Sequence, residues 1–313
     1  MKKVLLFALL FGAASLFSVA CNDDDDDNDG PGTILAELNR NPNLSTLVDA
    51  LEAADLDQVF NGSQQLTLFA PDNAAFAKLL TDLGFTSLSQ VPVDVLTDVL
   101  LNHVVAGEVK SGSLSTGYVP SLLTYGTTTD VYVNLFVNLA GGVKINDATV
   151  TTADVDASNG VIHVINKVML PATVVNHAVN NPDFSSLVAA LTRSDLGVDY
   201  VTLLSGTGPF TVFAPNNAAF AALLTELGLT NLSQIPAATL NAVLQYHVAN
   251  GNVRAENLTN GQVVTTLQTG TFTVNLTGGA KILDAKGRTS NIIATNVQGT
   301  NGVVHAIDKV LLP

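Results

Sequence analysis

Tryptophan is missing from the chain, tyrosine occurs five times and cysteine once in 313 residues. The core must therefore be built from Val, Leu, Ile, Ala and Phe, and no intramolecular disulfide can form. Basic residues are scarce too, with 13 Lys and Arg against 27 Asp and Glu. Nucleic acid is excluded as a natural partner, because binding it requires clustered Lys and Arg that displace counterions. There is no His-Glu-x-x-His, no Walker loop and no Gly-x-Ser-x-Gly, and the five histidines lack the paired spacing of a zinc site. What is abundant is apolar: 47% of the residues are hydrophobic, which suits a folded chain, and the length favours two cores over one.

The first thirty residues stand apart. Lys2 and Lys3 precede an uncharged run from Val4 to Ala20 that ends in small residues before Cys21, the pattern of an export signal. The run is short for a membrane span, which needs about 20 residues. Ser18-Val19-Ala20-Cys21 resembles the lipobox of a bacterial lipoprotein, with Ser18 where Leu is usual; it implies a signal peptide over 1–21 and lipidation of Cys21. Ordinary secretion with an unpaired Cys, or an uncleaved anchor, are the other readings. Acyl chains contribute roughly 0.8 kcal/mol per buried methylene and would hold the protein on a membrane. Residues 22–32, NDDDDDNDGPG, carry six Asp and a Gly-Pro-Gly, and read as an extended, solvated tether. The alternation and closing Glu of a calcium loop are missing, so no metal is expected there. The tether's place also resembles acidic export tags that send lipoproteins to the outer face of an outer membrane. Setting aside two Lys in the leader and six Asp in the tether leaves 11 basic and 21 acidic residues.

The remainder is written twice. FAPDNAAFAKLL at 69–80 returns as FAPNNAAFAALL at 213–224, NPNLSTLVDALEAADL at 41–56 as NPDFSSLVAALTRSDL at 181–196, and NGVIHVINKVMLP at 159–171 as NGVVHAIDKVLLP at 301–313. LSQVPVDVLTDVLLNHVVAGEV at 88–109 likewise returns at 232–253. So long a period means tandem domains rather than a solenoid of small repeats, expected at 33–171 and 172–313. In each, Leu44, Leu47, Val48 and Leu51 or their counterparts mark an amphipathic helix. Leu66 to Ala70 reads as a buried strand closed by Pro71, with Asp72 or Asn73 capping the next helix. A further helix begins at Pro92 and carries Leu96, Val99, Leu100 and His103 on one face. Thereafter the period falls to two: residues 131–146 and 271–283 are hairpins around Gly-Gly, and Asn159-Gly160 and Asn301-Gly302 turn into last strands ending at Pro171 and Pro313. Helices first and hairpins afterwards indicate α+β.

Taken together, a strand ending Phe-Ala-Pro before Asn-x-Ala-Phe, a mid-domain helix ending in His, and the closing Asn-Gly-Val-[Ile/Val]-His segment resemble the fasciclin domain, FAS1, over nearly the whole mature chain. The resemblance implies two tandem FAS1-like domains, each a wedge of helices packed on a twisted, mainly antiparallel sheet. It marks Phe69, Pro71, Asn73, Phe76 and His163, and Phe213, Pro215, Asn217, Phe220 and His305, as structural motif residues. It further implies extracellular modules that adhere to matrix components, carbohydrates or receptors, without a catalytic centre or cofactor. In animal matrix members a Tyr-His pair is linked to integrin recognition; Tyr246-His247 keeps that pair, and Asn102-His103 keeps only the His. His103, Tyr246 and His247 are therefore the candidate ligand-binding residues, Tyr246 offering an amphipathic contact surface.

The expected function is adhesion: a lipid-anchored protein of the cell surface or outer membrane that binds an extracellular polymer, carbohydrate or protein, or a neighbouring surface. The alternative is a passive spacer or envelope-assembly component, and a hydrolase on a surface polymer stands third. A binding module predicts an exposed patch around Tyr118, Tyr125, Tyr132, Tyr200 and Tyr246. A spacer predicts that these tyrosines scatter.

Overall fold

The computed structural model describes residues 30–313; the export signal, Cys21 and nearly all of the acidic tether lie outside them. Each half first lays down helices. In the first half these are α1 (Ile34–Arg40), α2 (Ser45–Ala53), α3 (Asp57–Asn61), α4 (Asn73–Asp82) and α5 (Val93–Leu101). In the second they are α6 (Val174–Asn180), α7 (Ser185–Leu191), α8 (Tyr200–Leu204), α9 (Asn217–Glu226) and α10 (Ala237–Tyr246). The strands are β1 (Leu66–Pro71), β2 (Val104–Ala106), β3 (Gly117–Thr124), β4 (Tyr132–Asn138), β5 (Lys144–Ile145), β6 (Ala148–Ala157) and β7 (Gly160–Ile165), then β8 (Phe210–Pro215), β9 (Val248–Asn250), β10 (Val263–Thr265), β11 (Thr271–Asn275), β12 (Lys281–Leu283), β13 (Thr289–Gly299) and β14 (Gly302–Ile307).

They form two seven-stranded sheets, ordered β2-β1-β7-β6-β5-β4-β3 and β10-β11-β12-β13-β14-β8-β9. One pair in each is parallel, β1 with β7 and β8 with β14, and the rest are antiparallel. The α+β architecture with a mainly antiparallel sheet is as the sequence implies. Alternation along β1 feeds two cores: Leu66, Leu68 and Ala70 join the helices around Phe60 and Phe76, while Phe69 packs with Leu135, Val137, Ile145 and Met169 on the other face. The second half repeats this, with Phe220 under the helices and Phe213 among Phe272, Val274 and Ile282. Phe76 and Phe220 are each 2% exposed.

Several local expectations shift. Asp72 and Asn216 are the helix caps, accepting from Ala75 N and Ala219 N. Asn73 and Asn217 instead tie two helices together: Asn73 accepts from Thr46 N–H at 2.9 Å and donates to Pro42 O at 2.9 Å, and Asn217 repeats this with Ser186 N–H and Pro182 O. Pro92 is extended (ψ 137) and precedes α5, so the helix starts one residue later than expected and ends before His103. The last strands stop at Ile165 and Ile307 rather than at Pro171 and Pro313. Beyond them the chain leaves the ladder, and the buried Val168 and Met169 fill the space beside the end of α5.

The Asn-Gly turns do more than reverse the chain. Asn159, 3% exposed, accepts from Ile34 N–H at 2.7 Å and donates to Phe60 O and Gly62 O. It fastens the first turn of α1 and the end of α3 to the sheet, and Asn301 does the same with Val174, Leu204 and Gly206. Gly160 has φ +143°, and a Cβ there would lie 1.9 Å from Leu66 O, so no other residue fits beside this Asn. Asn301→Ala leaves one buried N–H and two carbonyls without their partner. It is expected to cost about 3 kcal/mol or more, read by urea unfolding; a loss below about 1 kcal/mol would show that the bracket is dispensable.

Candidate functional site

Every histidine is buried, and four of the five tie backbone to backbone; the fifth, His177, bonds only through Nε2 and leaves Nδ1 without a partner. The His103 Nδ1–H donates to Val99 O at 2.7 Å, and Met169 N–H donates to Nε2 at 2.9 Å. His247 does the same with Val243 O and Leu311 N–H. Each ring thus joins a helix end to the segment after the last strand, and two backbone partners fix its neutral tautomer. His163 and His305 bridge the sheet: their Nε2–H groups donate to Val109 O and Val253 O, and their Nδ1 atoms accept from Asp154 N–H and Asn296 N–H. Phe69 and Phe213 stack on them at 5.6 and 5.5 Å between centroids. The motif residues, Pro71 and Pro215 included as the last residues of β1 and β8, therefore form one fixed scaffold around the parallel strands.

The Tyr-His candidates are corrected by their burial. Tyr246 is 0% exposed, His247 3% and His103 1%. The Tyr246 hydroxyl donates to Thr271 O at 2.5 Å and accepts from Ala285 N–H at 3.1 Å, an internal tie between α10 and the hairpin. Asn102, in the matching place, donates to Met169 O. Nor do the tyrosines make a patch. Tyr200 is as buried as Tyr246, Tyr118 and Tyr125 are half-buried, and Tyr132 is exposed.

The structure assembles a different polar constellation, at the seam between the halves. Tyr118 of β3 packs against the helical core of the second half. Its ring meets His177 edge-on at 5.6 Å and Phe136 at 5.0 Å. Its hydroxyl donates to His177 O at 3.4 Å and accepts from Asn181 Nδ2 at 3.1 Å. Burial pushes the phenol up to about 12. The His177 Nε2–H donates to Gln298 O at 2.9 Å, and Gln298 N–H donates to Asn134 Oδ1 at 2.7 Å. Gln298 is itself 0% exposed, with Nε2 bonded to Asn252, Gly299 and Gly302. Sequence reading passed over His177, Gln298 and Asn134. The available signal lay in departures from the repeat: their neighbours in register, Glu37 and Asp156 in the first half, are charged.

Beside this seam lies a cleft of about 350 Å³, lined by Asp82 and Leu83 at the end of α4, Asn146 and Asp147 between β5 and β6, Lys167 and Leu170 after β7, and Asn176 and Asn180 of α6. Its charges are paired within the first half, Lys78 with Asp82 at 2.9 Å and Lys167 with Asp147. The cleft has room for a small ligand, both donors and acceptors, and no net charge among these four groups.

Comparison with known proteins places the chain. The Fasciclin domain family matches residues 42–171 and 182–313, and the chain belongs to that family as a tandem pair of FAS1 domains. Transforming growth factor-beta-induced protein ig-h3 of Sus scrofa is 32% identical over 256 residues, covering 80% of this chain and 35% of that protein. Protein sll1483 of Synechocystis is 41% identical over 143 residues, 46% of this chain and 76% of that one. The chain thus spans about a third of the length of ig-h3. Among solved structures, the FAS1 domain pair of the insect cell adhesion molecule Fasciclin I has a TM-score of 0.47 at 18% identity, covering 89% of this chain and 96% of that one. No helix among the described residues is long and apolar enough to cross a membrane.

Burial lowers His103, His177 and His247 from 6.5 to about 4. The unfolded chain therefore binds more protons than the folded one between those values, and stability rises with pH across that window. It is complete above about pH 6.5 and is lost as pH falls toward 4, on the order of 3 kcal/mol for each ring. Urea unfolding at pH 7 and pH 4.5 checks this: equal stabilities, or a more stable protein at pH 4.5, would contradict it.

Proposed function

We propose that the protein is a surface adhesion module, exported and held by a lipidated Cys21 in the outer membrane, whose FAS1 pair binds an extracellular polymer or a neighbouring surface. The observation that carries this reading is the seam: two FAS1 domains share buried contacts through Tyr118, His177 and Gln298. Contacts made by both domains at fixed spacing add without a second loss of translational freedom, so weak single contacts give a useful avidity. Membership of the Fasciclin family and the relatives named above support the reading. The domains are taken as 33–171 and 172–313, with residues 22–32 as the tether.

The scatter of the tyrosines favours a second reading, a spacer without a soluble ligand. Binding of the purified full-length chain to immobilised glycans and matrix proteins separates the two. Adhesion predicts saturable binding to at least one class, weakened by Tyr118→Ala through loss of the fixed spacing. No saturable binding to any class would overturn adhesion and leave the spacer. Tyr246→Ala and His247→Ala are unsuitable probes of recognition, since both remove buried ties.

A further inference from the structure

We infer that the cleft between the two domains is a binding site for neutral carbohydrate, the part of the polymer that the adhesion reading above requires; the inference rests on that reading. The cleft lies at a domain boundary, where small-ligand sites tend to occur, and its volume of about 350 Å³ falls within their usual range of roughly 300–1,000 Å³. It therefore suits a short stretch of sugar units.

The chemistry of the walls selects the ligand class. Asn146 is 7% exposed, and its carboxamide oxygen is occupied by Phe136 N–H at 2.8 Å, which leaves its Nδ2 as a donor. The residue holds a left-handed backbone (φ +53°) in the turn between β5 and β6, a conformation that Asn tolerates. Asn176 spends its oxygen on the Thr173 backbone and hydroxyl, again leaving Nδ2. Asn180 lies one turn further along the same face of α6. On the first-domain wall, beside Asn146, the carboxylates of Asp82 and Asp147 accept. Sugar hydroxyls both donate and accept, so they can satisfy both walls at once.

Net charge and the apolar rim narrow the class further. Each carboxylate is paired with a lysine, Lys167 in the lining and Lys78 beside it, so a uronate, a sulfated chain or a basic peptide finds no cluster of charge of one sign. Leu83 and Leu170 line it while 49% and 51% exposed. Aliphatic side chains so placed cover the C–H face of a sugar ring, while the amides and carboxylates take its hydroxyl edge. Asn176 and Asn180 come from the second domain and the other four polar groups from the first. The seam that joins the domains is therefore what brings the site together.

The test uses the full-length chain and a panel of gluco-, manno- and galacto-configured neutral tetrasaccharides, with sulfated and uronate tetrasaccharides and an oligolysine peptide as comparisons. Titration is followed by calorimetry and by the side-chain amide resonances of Asn146, Asn176 and Asn180. The expected result is saturable binding of a neutral member with shifts at those amides. Asn180→Ala and Asp147→Asn should weaken it at least tenfold in variants that stay folded by circular dichroism, Asp147 being exposed and Asn180 half-buried. Neutral sugar binding that is undiminished in both folded variants overturns the cleft assignment while leaving adhesion standing. Preference for a charged tetrasaccharide or the peptide overturns the ligand class. If no tetrasaccharide binds and the chain also fails to bind any immobilised glycan or protein, both readings fall together.

Discussion

The parallel pairing of β1 with β7, and of β8 with β14, is the constraint from which the rest follows. These strands lie between two apolar layers, so all six side chains of β1 are buried. An unpaired polar group there costs about 1–3 kcal/mol, and every approach to the pair must end in an internal partner. The Asn of the Asn-Gly turn, the His of the last strand and the His after the mid-domain helix supply those partners, each joining chain segments far apart in sequence. Among the repeated segments, the polar letters are tie points of a scaffold. That accounts for their being written twice.

The two copies differ where they touch. At the position of the exposed Asp156 in the first domain the second carries the buried Gln298, which Arg254, the counterpart of Lys110, bonds at 3.1 Å; in place of Glu37 it carries His177. Covering a carboxylate with Tyr118 or Asn134 would strip its water, a cost that the single Arg254 beside Gln298 offsets only in part. A neutral amide keeps its hydrogen bonds under the same cover, and a neutral imidazole is buried there with Nε2 bonded and only Nδ1 left without a partner. The first domain leaves the equivalent face to solvent and keeps charge there. The asymmetry also sets the place of the cleft, because the seam fixes α6 beside the turn between β5 and β6.

Much of the fold was legible because it rested on local pattern and repetition. The 3.6-residue spacing of Leu44, Leu47, Val48 and Leu51 gave α2, the Gly-Gly hairpins gave β4–β5 and β11–β12, and the duplicated motifs gave two domains of one family. What escaped was tertiary. Nothing local says that Asn73 ties helices while Asp72 caps, or that the last strand ends at Ile165 because Met169 is drawn to His103. The family resemblance made the Tyr-His pair a candidate contact surface, yet the Tyr246 hydroxyl finds Thr271 and Ala285 inside the domain. The candidate site was hidden for a further reason. Its first-domain wall is gathered from α4, the turn between β5 and β6 and the segment after β7, and although Lys167 and Leu170 belong to the repeated closing motif, nothing in that motif marks a cleft shared with α6. Only the charge-to-neutral changes between the repeats pointed toward the seam.

Fixed spacing between the domains is the claim on which the adhesion and cleft readings both stand. With Cys21 replaced by Ser, spin labels at the exposed positions 78 and 286 report it by pulsed electron resonance as a distribution of inter-domain distances. The structure predicts a single narrow distribution, broadened when Tyr118→Ala removes the ring that enters the second core. A broad distribution in the parent chain, unchanged by that substitution, would mean that the seam does not hold, and the cleft with it.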